Sequence, residues 1–146
     1  MQTLYKELLE VQKELTTFKK DTAGFNYKYV TLDTILEVIR PLLNKHGLIL
    51  MQLVGCKEAD SKVISTLTTV ILHAETGDKV ETTMQLHPQK TDKISPMQAL
   101  GSSITYAKRY QLSALLSIST EEDTDDTPQI KSSKVPKKIP AGEDIF

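Results

Sequence analysis

The sequence predicts an α+β fold, a three-stranded antiparallel β-meander packed with helices, followed by a disordered C-terminal tail. Three observations carry that expectation. Apolar residues recur at helical spacing over the first twenty or so positions. Three strand-like runs then follow one another between Leu48 and Leu86, separated only by short turns. A strong helix-opening signature stands at Ser95, and from Glu121 the chain turns acidic, then rich in lysine, serine and proline.

The first segment, roughly Gln2 to Lys19, places Leu4, Leu8, Val11, Leu15 and Phe18 at intervals of 4, 3, 4 and 3, a single apolar stripe. Glu7, Glu10, Lys13 and Glu14 take the other side. Such a helix must lie on something, either its own domain or a neighbouring subunit. Phe25, Tyr27 and Tyr29 then alternate with Asn26 and Lys28, so an extended chain turns Lys28 away from its aromatic neighbours. Thr31 can cap a helix running to about His46, with Asp33 in its first turn and Ile35, Val38, Ile39, Leu42 and Leu43 on its apolar side. Pro41 inside that pattern is expected to kink the helix or divide it. Gly47 is a good stop.

The strand-like runs are Leu48 to Val54, Val63 to His73 and Lys79 to Leu86. Glu75-Thr76-Gly77-Asp78 reads as a hairpin turn, and Gly55 to Ser61 as a polar turn between the first two strands. The meander's edges are available to a neighbouring subunit. His87 to Ile94 is a polar loop. Ser95-Pro96-Met97-Gln98 then supplies an N-cap, a proline at the first position and a closing glutamine, for a helix expected to reach about Leu112, with Ser113 to Ser119 as a short apolar finishing segment. These elements give a core domain of residues 1–120 and a tail of residues 121–146.

The net charge of −1 averages unlike segments. Residues 1–120 hold 14 Lys+Arg and 12 Asp+Glu, hence +2; residues 121–126 contribute −5, residues 127–140 contribute +4, and the last six contribute −2. A mildly basic body before an acidic run is compatible with nucleic-acid binding without demanding it. No apolar run approaches bilayer length. Met1-Gln2-Thr3 passes directly into the amphipathic pattern, which reads as no secretory signal, and a single Cys56 fits a cytoplasmic location.

Little in the chain points to catalysis or to a cofactor. There is no glycine-rich loop ending in Lys-Ser/Thr to cradle a nucleotide. His46, His73 and His87 lack zinc-ligand spacing, and no nucleophile has an adjacent base. The carboxylates Glu121, Glu122, Asp123, Asp125 and Asp126 would serve a magnesium-dependent nuclease, but such a run is more often a solvated tail. No metal site is expected, and the chain reads as a binder.

The segment from Gln98 to Tyr110 is the most informative. On a helix, Met97, Leu100, Ile104 and Ala107 form the stripe expected to be buried, Gln98, Ser102, Thr105 and Arg109 a polar stripe, and Tyr106 and Tyr110 a neighbouring pair on a third side. Ala99, Gly101, Ser102 and Ser103 are small enough for a backbone to approach, and Gly101 in mid-helix is expected to have a packing reason, since it costs ~1 kcal/mol against alanine. Arg109 among hydroxyls suits phosphate oxygens. A core helix with a surface Lys108-Arg109 pair is the plainer alternative.

Three blocks resemble the Erf (essential recombination function) family of phage single-strand DNA annealing proteins: Phe25 to Asp33, Ile39 to Leu48, and Gln98 to Asp123, including Gly101-Ser102-Ser103-Ile104-Thr105-Tyr106-Ala107-Lys108-Arg109-Tyr110. Their order and spacing match over about the first 126 residues. The resemblance implies a β-β-β-α core with an accompanying helix, assembly into a homo-oligomeric ring or filament, and annealing of complementary strands in phage recombination inside the host cell. The C-terminal region is short beside typical family members. On this reading single-stranded DNA is the partner, and Lys28, Lys90, Lys93, Lys108 and Arg109 are candidates for its backbone. Tyr27, Tyr29, Tyr106 and Tyr110 are candidates for its bases, although each competes with a place in a core poor in aromatic residues. The tail ends Ala141-Gly142-Glu143-Asp144-Ile145-Phe146 and resembles the acidic tip of bacterial single-strand-binding proteins without its proline. Ile145 and Phe146 would dock a host replication or repair protein, unless the tip is simply frayed. The competing reading is an adaptor that recruits such proteins with DNA contact incidental.

Overall fold

A computed structural model describes residues 1–21 and 31–118, with side chains of the first helix as far as Leu15. Along the chain these residues form α1 (Gln2–Asp21), α2 (Leu32–Lys45), β1 (Leu48–Ala59), β2 (Lys62–His73), β3 (Lys79–Gln85) and α3 (Pro96–Leu116). The strands make an antiparallel sheet in the order β1-β2-β3, the expected meander. Phe25, Tyr27, Lys28, Tyr29, the acidic run and Ile145 and Phe146 lie outside the described residues, as does the side chain of Phe18.

One face of the sheet carries the core. Strand alternation puts Leu48 and Leu50 of β1, Ile71 of β2 and Val80 of β3 on that face, against Leu4, Val11 and Leu15 of α1, Ile35, Ile39 and Leu43 of α2, and Leu112 and Leu116 of α3. The amphipathic first helix therefore packs on its own domain. Each such buried side chain stabilises by about 1.5–3 kcal/mol, so burial is what holds α1 down. An ionic clamp adds to it. His46, at the C-cap of α2, meets Glu7 through Nδ1 at 2.9 Å and Glu14 through Nε2 at 2.7 Å, while Lys45 donates to Glu14 at 2.9 Å. The opposite sheet face, with Ile49 and Leu53 exposed, contributes no side chain to either hydrophobic cluster among the described residues.

Three expectations are corrected, and the alternatives for Pro41 are narrowed: it lies within α2 without dividing it, the helix running on to Lys45, capped by Thr31 and stopped at Gly47, whose φ is +68°. Strand β1 continues through the segment read as a turn, and the chain reverses only at Asp60 and Ser61. Both adopt left-handed φ, 50° and 60°, between the paired Ala59 and Lys62, a two-residue hairpin whose backbone twist matches the strands. Helix α3 reaches Leu116 rather than Leu112. Ser113 does not break it, because its hydroxyl donates to the Arg109 carbonyl at 2.7 Å. A left-handed Ser117 then ends it, with the N–H groups of Ser117 and Ile118 returned to the carbonyls of Ala114 and Ser113. Of the stripe expected to be buried, Ala107 is buried and Leu100 and Ile104 pack against it, but Met97 is 75% exposed, and the buried face extends instead to Ala99, Gln111, Leu112 and Leu116. The expected opening of α3 is present in full, with Ser95 and Gln98 capping each other's N–H groups.

Across the sheet beneath α3 runs a chain of buried polar groups. Gln52 of β1 donates to the Thr69 hydroxyl at 3.1 Å and to the Lys108 carbonyl at 3.0 Å. Thr69 of β2 donates to Gln111 Oε1 at 2.7 Å, and Gln111 Nε2 donates to the carbonyls of Leu67 at 3.1 Å and Thr82 at 3.2 Å. Both amide N–H groups of Gln52 and of Gln111 are thus used, as burial requires.

These interactions generate three expectations. Gln111→Ala, which strands the Thr69 hydroxyl and opens a cavity, should destabilise by about 2–3 kcal/mol, read as a lowered urea midpoint at unchanged slope. Gly101→Ala should instead stabilise by ~1 kcal/mol, because a Cβ at Gly101 meets nothing within 4 Å and the residue has no packing reason inside the subunit. The clamp makes stability pH-dependent. Hydrogen bonds donated to Glu14 and then to Glu7 raise the His46 pKa above its ordinary 6.5, so its contribution is complete below that value and lost as pH rises through the folded-state value. Hydrogen bonds from Lys45 and then His46 lower Glu14 below 4.5, so its contribution is complete above that value and lost as pH falls through the lower, folded-state value. The urea midpoint should therefore fall between about pH 5.5 and pH 8.5 in the native protein and stay flat over that interval in His46→Gln; parallel declines in the two would remove His46 as the cause.

Candidate nucleic-acid interface

Beyond β3 the chain stays against the sheet for one more residue, with the Leu86 N–H donated to the Ser65 carbonyl at 2.9 Å. It then loops outward through His87 to Ile94 and returns into α3. Between that loop and the helix lies a groove of about 430 Å³. Two adjacent rows of α3 side chains at i, i+4 spacing form one wall: Ala99, Ser103 and Ala107, and beside them Ser102, Tyr106 and Tyr110. The other wall comes from Met84, Gln85, Leu86, His87, Gln89 and Ile94. Ala99, Ala107 and Leu86 are buried, and Leu86 and Ala107 pack with Leu67 in a second hydrophobic cluster, so the groove sits on rigid core.

The small residues have a use that differs from the one expected. Ala99 and Ala107 are small where the groove needs depth. Gly101, also in α3, is not among the lining residues.

The structure separates the sequence-derived candidates into two sets. Tyr106 and Tyr110 line the groove side by side, with ring centroids 5.4 Å apart and planes inclined at 35°. Neither belongs to the core: Tyr106 is 62% exposed and Tyr110 39%. Lys90 and Lys93 do not line the groove but are exposed in its loop, directly after Gln89 and directly before Ile94, both of which do. Lys108 stands two residues from each tyrosine, which on a helix is the far side, and its carbonyl is tied to Gln52 of β1. Arg109 is half-buried and is turned about 60° round the helix from Tyr106, at ~100° per residue, next to the tyrosine row rather than in it. The groove thus holds Tyr106 and Tyr110, with Lys90 and Lys93 next in sequence to its loop residues, Arg109 at its flank and Lys108 elsewhere.

Sequence reading missed Met84, Gln85, Leu86, His87, Gln89 and Ile94 as a wall. The one available signal was an isoleucine, Ile94, in an otherwise polar loop. Among the described residues no three His, Cys, Asp or Glu side chains gather where a metal could be held, and no helix is long and apolar enough to cross a membrane.

A family model described as the ERF superfamily matches residues 4–144. No curated protein matches significantly, and no solved structure does. The match takes in all six described elements and runs past the three blocks of resemblance into the tail. The chain belongs to the ERF superfamily, whose general role is single-strand annealing in phage recombination.

Proposed function

We propose that this protein binds single-stranded DNA and anneals complementary strands without ATP, in homologous recombination of a phage within the host cytoplasm, and that it works as a homo-oligomeric ring or filament. The observation that carries the reading is a groove lined by the exposed Tyr106 and Tyr110, whose loop side carries the exposed Lys90 and Lys93 next in sequence to the lining residues Gln89 and Ile94. Annealing makes and breaks no covalent bond. Its barriers are repulsion between two phosphate backbones and the hairpins that hide bases from their complements. Cationic side chains lower the first barrier by replacing condensed counterions. A strand held extended on a surface cannot fold on itself, which lowers the second.

A body of net charge +2 offers few phosphate-binding groups per copy. Repetition supplies the affinity, since each further subunit that grips the same strand does so at high effective concentration. The two sheet edges, β1 and β3, have backbone groups to offer a neighbouring copy. Lys28, Tyr27 and Tyr29, just ahead of α2, extend the DNA surface. Ile145 and Phe146, at the end of the acidic-then-basic sequence of residues 121–146, dock a host single-strand-binding or replication protein.

The test is hybridisation of two complementary oligonucleotides in nucleotide-free buffer. Native protein should accelerate it. Lys90→Ala/Lys93→Ala should slow it, and should reduce the slope of log affinity against log salt by roughly 1.4, at ~0.7 for each phosphate of a single strand that a lysine no longer neutralises. Lys108→Ala/Arg109→Ala should have the smaller effect, through Arg109. If native protein leaves the hybridisation rate unchanged at every concentration and ionic strength, the reading is wrong.

A further inference from the structure

We infer that the groove between α3 and the loop from His87 to Ile94 is a pocket for one unpaired nucleobase per subunit, held by its ring faces rather than read by its edges. The inference rests on the single-stranded DNA reading above and adds to it a place for the base itself.

The groove's size comes first. About 430 Å³ falls within the roughly 300–1,000 Å³ of small-molecule sites. It is a slot for a ring system with its sugar, too small for a base pair with both backbones. The character of the walls comes second: they expose carbon almost throughout, from the methyls of Ala99 and Ala107 to the side chains of Met84 and Ile94 and the tyrosine rings. An occupant must therefore have apolar faces. Tyr106, 62% exposed beside Tyr110, offers a ring surface on which a further ring can lie. The third point is charge. Lys90, Asp92 and Lys93 are exposed in the loop between the lining residues Gln89 and Ile94, so two ammonium groups against one carboxylate are available beside the groove to the phosphates flanking an inserted nucleotide. A flat, apolar-faced ring carried on a polyanion is a nucleotide of a single strand.

The scarcity of hydrogen-bonding groups inside the groove has a functional meaning. A pocket that grips ring faces accepts every base, since each has a π-face, and an annealing protein must work on any sequence. A captured base is also withheld from pairing, so the hold must be weak enough to release it as the duplex closes. The neighbouring bases meanwhile stay outside, free to pair.

Binding of labelled oligothymidylate is compared with binding of the same backbone carrying abasic sites throughout, by fluorescence anisotropy at fixed salt. The full-length protein and two variants are used: Tyr106→Ala, at an exposed position, and Ser102→Trp, which fills the slot. Native protein should bind the abasic strand roughly tenfold or more weakly, the loss expected when stacking is removed. Both variants should narrow that gap by weakening only the thymidine strand. Oligoadenylate should bind native protein within about tenfold of oligothymidylate. Equal binding of abasic and intact strands, with annealing preserved, overturns the pocket and leaves the annealing reading standing. Failure to bind either strand at low salt overturns both. A changed oligomer size in light scattering for Tyr106→Ala, with the abasic gap intact, gives the groove to a second copy of the chain and overturns the pocket.

Discussion

The hydrogen-bonded chain Gln52–Thr69–Gln111 is the constraint on which the rest of the structure depends. A helix lying on a sheet by apolar contact alone can slide or rotate, because dispersion and burial have no direction. Here Gln111 reaches two strand carbonyls and a strand hydroxyl, while Gln52 reaches back to a helix carbonyl, so α3 is tied to all three strands. Satisfying those groups admits one rotation of the helix. That rotation turns Ala99, Ala107 and the tyrosine row toward the loop after β3, and Lys108 away from it. The groove exists because a polar network chose the helix phase.

The same network lets polar residues be buried between helix and sheet: Gln111 of α3 and Thr69 of β2 satisfy each other, while the buried Ser113 donates to the Arg109 carbonyl of its own helix. Along the other half of the helix the residues facing the loop are small, so that a depth remains which larger side chains would have filled. Where Leu86 and Leu67 meet Ala107 the packing is tight; above them it opens toward solvent. Rigid floor and accessible wall are what a weak, repetitive grip on a flexible polymer requires, because little ordering of the protein is needed on each encounter.

At the opposite end of the sheet, α1 closes the core. Its attachment is double: apolar burial through Leu4, Val11 and Leu15, and the His46 clamp with Glu7 and Glu14. The burial supplies the greater stability, while the clamp matches Glu7 and Glu14, two turns apart on α1, to one imidazole and so sets where along α2 the helix rests.

Much of this was legible in the residues. The 3–4 spacing marked all three helices, and the Ser95–Gln98 box and the Thr31 and Gly47 signals placed their ends, because capping is a local hydrogen-bonding matter decided within four residues. The meander followed from short turns between β-branched runs. Other features escaped for equally physical reasons. The far half of β1 is exposed, so no apolar alternation marked Gly55 to Ala59 as strand; only pairing with β2 makes it one. Asp60-Ser61 lacks the glycine that would have announced a two-residue hairpin. Ser113 reads as a break until its hydroxyl is seen returning to Arg109. Periodicity found the tyrosine pair but not its exposure, since composition alone favoured burying scarce aromatics. The amino-acid sequence by itself determined the elements, their caps, the order of the meander and, through its resemblance, the family. Tertiary structure decided the rotation of α3, the groove, and the exposure of the tyrosines there, because those depend on long-range hydrogen bonds between residues far apart in the chain, which no local pattern encodes.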